Sequence, residues 1–292
     1  MSLLTSGAGG ILTPEEVGEL VVRPVSRLSV AYQVSQVAVI GSHEFRIPIL
    51  TADGTASFVA EGAEIPADDA EVSELVITPK KVAALSMISS ELATDSINES
   101  ATEVIGQSLA RDTARAVDAA FFGTTTANGP SGLGALAGVS EVEWGTLTNL
   151  DAFAEGQSLA EEAGAVIIAW VTSPSTVLSL ARLKRETGSN EPLLQPDPTL
   201  PGRRQVFGAP LLSSPAVGDG TVWGIPAAYA TAPDDEDQSG RLSYVVQAQE
   251  ASLDVDESVM FTSDRVAIRT KLRVAFGWPH PAAVVKIEHG GS

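Results

Sequence analysis

The chain has 292 residues, long enough to bury a substantial core and to hold two closely connected domains. It carries 37 acidic against 18 basic residues, a formal net charge of −19, and so acidic a surface repels a polyphosphate, which excludes a sequence-reading nucleic-acid binder. A hydrophobic fraction of 44% excludes a disordered chain, no apolar run reaches the roughly eighteen residues needed to cross a bilayer, and the absence of cysteine excludes disulfides and thiolate chemistry. The first residues also lack the positive charge that precedes the apolar stretch of a secretory signal.

Residues 1–38 read as an N-terminal arm. Gly7, Gly9 and Gly10 give a flexible start, and Thr13-Pro14-Glu15-Glu16 supplies the cap, first-turn proline and early acids that open a helix. Pro24 interrupts that helix, and the apolar run 25–40 is rich in β-formers. An extended hairpin is expected over 39–82. Phe45, Ile47 and Ile49 alternate with Arg46 and Pro48, the period of a half-buried strand. A second β-rich run, 72–88, returns after the polar stretch 61–69. Such a hairpin is too long and too polar at its tip to cover its own domain, so its partner is expected on another copy.

A short helical turn at 89–95 is expected to lead into a long helix over 97–122. Ile97, Ala101, Val104, Ile105 and Leu109 recur at three- and four-residue spacing, and Val117, Ala120 and Phe121 continue the stripe. Arg111, Asp112, Arg115 and Asp118 mark its polar face. Such a helix would be roughly 39 Å long. Gly123 ends it, and Asn128-Gly129-Pro130 bars continuation. From about 141 the pattern becomes α/β: a helix over 149–163, a buried strand over 165–171, and a helix capped by Ser173-Pro174 running to about 186. After a loop over 187–204, short strands are expected at 206–207, 210–212 and 229–230. The closing strands fall at 242–248, 266–276 and 282–287.

Catalytic constellations are hard to find. His43, His280 and His289 are far apart in sequence, and none forms the helical pair usual in zinc sites. The acidic run 234–237 lacks the alternation of a calcium loop and reads as solvated surface. Gly129-Pro130-Ser131-Gly132-Leu133-Gly134 follows a helix where a dinucleotide-binding turn would follow a strand, so it reads as a plain turn. No cofactor and no metal site are expected. The sequence offers two basic clusters, Arg203-Arg204 and Arg182, Lys184, Arg185. The arm's tip offers acids without one intervening Lys or Arg, among them Glu61, Glu64, Asp68 and Asp69. A solvated tip explains them; so does contact with basic residues of adjacent copies. Phe58, Glu61, Glu64, Ile65, Asp68, Asp69, Arg182, Arg185, Arg203 and Arg204 are the candidate inter-subunit contacts.

The order of parts resembles the major capsid protein of tailed bacteriophages, the Hong Kong 97-type fold. Phe58-Val59-Ala60-Glu61-Gly62-Ala63-Glu64-Ile65-Pro66 in the arm carries the resemblance, with Ala119-Ala120-Phe121-Phe122-Gly123-Thr124 at the helix end and Gly132-Leu133-Gly134 after it. Val206-Phe207-Gly208-Ala209-Pro210-Leu211, the strand ending at Arg273-Val274-Ala275-Phe276-Gly277, and Pro281-Ala282-Ala283-Val284-Val285-Lys286-Ile287 extend it over nearly the whole chain.

The resemblance implies an α+β fold. The N-arm would be 1–38 and the extended loop 39–82. A peripheral domain with a long spine helix would hold 83–136 and 248–279, and an α/β axial domain 137–247 and 280–292. It implies a non-enzymatic protein whose copies, as hexamers and pentamers, close an icosahedral shell around phage double-stranded DNA. Further partners would be a portal and separate scaffolding or cement proteins. DNA would be enclosed without sequence-specific binding, no membrane would be involved, and assembly would take place in the host bacterial cytoplasm. The acidity suits a wall that should not stick to its contents, although solubility alone explains it equally well. Some members weld subunits through a lysine–asparagine isopeptide bond. Here Ile65 stands where that lysine would fall and Phe261-Thr262-Ser263 offers no asparagine, so a shell without covalent crosslinks is expected. The alternative within the same fold is an encapsulin, a nanocompartment shell that loads enzyme cargo.

Overall fold

Pro24, which lacks an N–H but suits a first helical turn, stands second in the first described helix. In a computed structural model the described residues are 23–52, 58–59, 71–89, 100–145, 147–186, 188–194, 204–228, 240–256 and 265–289. Helix α1 spans Arg23–Leu28 and α2 spans Val30–Val34, followed by strand β1 at Gln36–Ile40. The expectation of β structure throughout 25–40 is therefore corrected to two helical turns and one strand. Val25, Ala31, Tyr32 and Val34 are buried at helical spacing against the long helix, and this tertiary packing overrides the β preference of valine and tyrosine.

The hairpin is real but shorter on its return. Strand β2 (Phe45–Ala52) pairs antiparallel with β3 (Glu71–Ile77), from Phe45 opposite Ile77 out to Ala52 opposite Glu71. The run 72–88 is not one strand. It breaks at residues 78–79, and β4 (Lys80–Ser89) joins a different sheet. That break corrects the single returning strand expected from the sequence. The expected turn at 89–95 meets β4 at Ser89 and otherwise lies outside the described residues.

Helix α3 covers Ser100–Phe122, 23 residues or about 34 Å. Leu109, Val117, Ala120 and Phe121 are buried as their spacing predicts, while Ile97 lies outside the described residues. Asp118 departs from the expected polar face. It is buried, accepting hydrogen bonds from the Ser29 hydroxyl (2.5 Å) and the backbone N–H groups of Val30 and Ala31 (both 3.1 Å). A side chain from α3 thus caps the N-terminus of α2.

After α3 the chain turns through residues 123–132 into a short 3-10 turn at Leu133–Ala135. Gly132 sits where only glycine fits: a Cβ there would lie 2.2 Å from the Ala120 carbonyl oxygen and 2.3 Å from that of Gly123. Buried Leu133 then packs with Phe121, which meets Phe276 edge-on at a ring separation of 5.0 Å.

Strand β5 (Ser140–Trp144), helix α4 (Asp151–Glu162), strand β6 (Ala165–Thr172) and helix α5 (Pro174–Arg182) follow. The Ser173 side chain accepts from the Thr176 N–H at 3.2 Å, the cap read from sequence. The helix ends at Arg182, four residues before the expected end, with Leu183 as its C-cap. Strands β7 (Arg204–Val206), β8 (Ala209–Ser213), β9 (Thr221–Ala228), β10 (Tyr244–Ala248), β11 (Ser252–Asp256), β12 (Arg265–Gly277) and β13 (Val285–His289) complete the chain. The strand expected at 229–230 lies outside the described residues.

Two larger sheets result. One runs β1-β10-β12-β11, with β4 also paired to β12; the other runs β5-β13-β9-β6-β8-β7. The buried alternate residues Leu272, Val274 and Phe276 of β12 pack in one core with the second half of α3 and with Ala169, Val171, Trp223 and Ile225 of the six-stranded sheet. A second core on that sheet gathers Phe153 of α4 with Trp170, Val285 and Ile287.

Candidate functional site: a projecting arm and a basic strand face

The β2–β3 hairpin has two unlike faces, as the pleat requires. Phe45, Ile47, Leu75 and Ile77 form the inner one. They pack over Ile40, Val246 and Ala275 on the outer side of the five-stranded sheet, with Phe45 and Tyr244 rings 6.4 Å apart. Gly277 makes room for this: a Cβ there would lie 2.2 Å from Ile77 Cδ1. The base of the arm is therefore docked on its own subunit.

The rest is not. Val72 and Val76 point to solvent with Arg46 and Glu74, which pair at 3.3 Å, and Val72 is 69% exposed. Phe58, further along, is fully exposed at 110%. Glu61, Glu64, Ile65, Asp68 and Asp69 lie outside the described residues. So does Arg203. Arg204 is exposed on β7, Arg182 is exposed in the last turn of α5, and exposed Arg185 pairs with Glu191 at 3.3 Å. No described contact joins these arginines to the arm.

A second basic surface is missed by reading runs rather than alternation. Along β12 the outward residues are Arg265, Arg269, Lys271 and Arg273, and Lys81 of β4 stands opposite Arg273. Asp254 of β11 accepts from Arg269 at 2.7 Å and lies 2.9 Å from Lys271, and those hydrogen bonds hold its carboxyl below the usual range. Arg273 meets Glu250 at 3.3 Å. Lys81 and Arg265 have no ion-pair partner among the described residues. Beside the stripe, Leu85 and Met87 of β4 are exposed. The signal in the sequence is Arg269, Lys271 and Arg273 at every second position between buried residues, with Arg265 two steps before them.

Nothing catalytic gathers here. Among the described residues no group of three or more His, Asp or Glu could hold a metal, and His280 Nε2 lies 2.9 Å from the Ala163 carbonyl oxygen in a structural role. No described helix is long and apolar enough to cross a membrane.

A profile of the phage capsid family matches residues 9–289. The chain belongs to the phage capsid family. It is a structural capsid shell protein, not an enzyme, and its place is the virion capsid. Among solved structures the capsid protein is similar to the chain described as "Capsid of native GTA particle computed with C5 symmetry", at 16% identity over 100% of this chain and 95% of that one, TM-score 0.68. It is similar to a chain of Microbacterium phage Oxtober96 at 17% identity over 99% and 96%, TM-score 0.70. The virus-like particle from Pyrococcus furiosus aligns at 13% identity over 94% and 98%, TM-score 0.61. These likenesses establish the Hong Kong 97-type fold. No curated protein sequence matches the chain significantly.

Proposed function

We propose that copies of this capsid protein associate as hexamers and pentamers into an icosahedral shell around phage double-stranded DNA, each arm lying over a neighbouring subunit. The observation that carries the reading is the arm itself: its base is held by Ile77 over Gly277, while Val72 and Phe58 beyond it stay in water. Burying either side chain on a neighbour is worth about 1.5–3 kcal/mol, modest alone and large when repeated around a closed lattice. The acids Glu61, Glu64, Asp68 and Asp69 face a neighbour's Lys81, Arg265, Arg269, Lys271 and Arg273, so charge sets the register of the contact. Arg182, Arg185, Arg203 and Arg204 serve further contacts between copies. Residues 1–38 are the N-arm, 39–82 the extended loop, 83–136 with 248–279 the peripheral domain, and 137–247 with 280–292 the axial domain. A portal and separate scaffolding or cement proteins complete the particle, which assembles in the host cytoplasm.

Ala52 and Glu71 already pair across the hairpin, so a two-residue turn can replace residues 53–70 without disturbing its base. Negative-stain microscopy and size-exclusion chromatography should then show a folded chain that forms no shells. Normal shells from that variant would overturn the role given to the arm. Wild-type particles filled with DNA support the virion reading, and small uniform particles carrying protein would replace it with the encapsulin one.

A further inference from the structure

The two edges of the six-stranded sheet carry opposite charge. The sequence has no Lys or Arg between Arg115 and Arg182, and both elements at one end of the sheet fall in that stretch. Edge strand β5 holds exposed Glu141 and Glu143, and α4, which packs over β5 and β13, turns Asp151, Glu155 and Glu162 outward. Of these five acids only Glu141 has an ion-pair partner among the described residues, Lys286 at 3.6 Å. The opposite edge, β7, lies five strands away, about 24 Å. It carries Arg204. Helix α5, whose Val177 shares a core with Val206 of β7, ends on Arg182, with Arg185 just beyond. Arg182 and Arg204 have no ion-pair partner among the described residues, and Arg185 has only exposed Glu191 at 3.3 Å.

The basic end also presents two bare apolar side chains. Leu178, one turn before Arg182, is 50% exposed. Phe207, at 53%, opens the two-residue turn between β7 and β8 with φ 50°, and Gly208 follows at φ 82°. Asn-Gly would make that turn without the crowding that a bulky side chain meets in the left-handed region, so the ring is held there at a cost to folding. A strained, exposed aromatic beside arginines has the composition of a contact centre. We infer that the β7–α5 end of one copy binds the β5–α4 end of the next, Arg182, Arg185 and Arg204 meeting its unpaired acids with Phe207 and Leu178 between. This contact rests on the proposed assembly and gives those arginines their partner there. Because the charged ends lie at opposite edges, two copies cannot satisfy both ends at once. Each pairing leaves one acidic and one basic end free, so the contact is head to tail and, in the proposed hexamers and pentamers, repeats until the ring closes. Charge fixes the order of ends, since acid against acid is repelled.

The absence of cysteine permits a clean test on the full-length chain. One preparation carries Gly145→Cys, just after β5, where an added Cβ meets nothing within 4 Å; the other carries Gln205→Cys on β7. The two are mixed and treated with a short bismaleimide, and linked chains are read on denaturing gels and by mass spectrometry. The expected result is linkage of position 145 to position 205, well above that of either preparation alone and above Gly145→Cys mixed with Leu85→Cys on the other sheet. Arg182→Glu with Arg204→Glu in the Gln205→Cys chain should lower the yield roughly five-fold, the size of effect that two exposed ion pairs give. Glu143→Lys with Glu155→Lys in the Gly145→Cys chain should then restore it, a recovery that a misfolded variant could not show. Linkage no higher than the control would overturn the inference, and so would links only between like positions, which would make the contact two-fold. A yield unmoved by the reversal would also overturn it, and weaker retention of duplex DNA on a filter would then assign the arginines to nucleic acid. Shells that form normally without the link refute this contact and leave the proposed shell standing. Linked short oligomers that never close refute the shell and leave the contact.

Discussion

Asp118→Ala removes the acceptor that fastens the N-terminal helices to α3, and its cost follows from the geometry. Three donors converge on this one carboxylate: the Ser29 hydroxyl, which is fully buried, and the N–H groups of Val30 and Ala31. A hydrogen bond to a charged group contributes about 1.5–3 kcal/mol, but three sharing one acceptor are not additive, and desolvation of the carboxylate offsets part of the gain. The expected loss is about 3 kcal/mol, which at roughly 2–4 °C per kcal/mol lowers the melting temperature of the unassembled chain by about 6–12 °C. Burial pushes the Asp118 carboxyl above the ordinary 3.8, outweighing the three hydrogen bonds that favour its ionised form. Because the folded-state value is the raised one, the stability this group contributes is fully present below the unfolded value of 3.8 and is lost as pH rises through the raised folded value. Wild type minus Asp118→Asn should therefore be largest at acidic pH and fall to a lower plateau toward neutrality. Denaturant unfolding across pH, with Ser29→Ala in a double-mutant cycle, measures both. A loss under about 1 kcal/mol for Asp118→Ala, together with no coupling to Ser29, would refute the cap.

Gly132→Ala forces a Cβ against three backbone carbonyls at the end of α3, at 2.2, 2.3 and 2.7 Å, none of which can rotate away. A loss of about 3 kcal/mol in denaturant unfolding is expected, and an unchanged midpoint would mean the turn is not docked as described. Reversing charge at Lys81 and Arg265 together should raise the concentration needed for assembly roughly five-fold, the worth of two exposed pairs, and Glu64→Lys with Asp68→Lys should recover part of it. Light scattering on a dilution series reads this, and a threshold unmoved by the reversal would remove the strand face from the contact. Boiled denaturing gels of assembled particles should show single chains at 30.2 kDa, since Ile65 cannot form an isopeptide; a covalent ladder would contradict that.

Elements that bury one stripe or one face were legible in the sequence; elements decided by their neighbours were not. The second half of α3 announces itself because Leu109, Val117 and Phe121 recur at helical spacing, and β2 does so because Phe45, Ile47 and Ile49 alternate with Arg46 and Pro48. Strand β9 was invisible. It lies between β13 and β6 with both faces buried, so it has no alternation, and Gly224 and Pro226 read as breakers. Pro226 is tolerated because it sits beside an irregularity in β6 between Ile167 and Ala169, beyond the last residue paired with β13. Asp118 was assigned to the solvent face by its charge alone. Only the arrival of Val30 and Ala31, almost ninety residues earlier in the chain, turns it into a buried acceptor. The basic face of β12 escaped for a related reason: its charges are never adjacent in sequence, and only the pleat lines them up.

The anchored base of the arm bears on how a chain of net charge −19 can associate with itself at all. Like-charged copies repel through their averaged surfaces, so attraction has to come from short-range, well-placed contacts. A hairpin free at both ends would lose orientational freedom on docking and weaken each such contact. Here Phe45, Ile47, Leu75 and Ile77 have already fixed the direction of the arm against Ala275 and Val246 before any neighbour arrives, so the cost of aiming it falls on folding instead of assembly. What the described residues of the arm leave exposed is correspondingly sparse, chiefly Val72, Val76 and Phe58. In the proposed assembly such small apolar contacts hold only when many arms engage together. Anchored base and sparse exposed contact fit the proposed assembly, in which association succeeds only where a neighbour presents a complementary face in the right place.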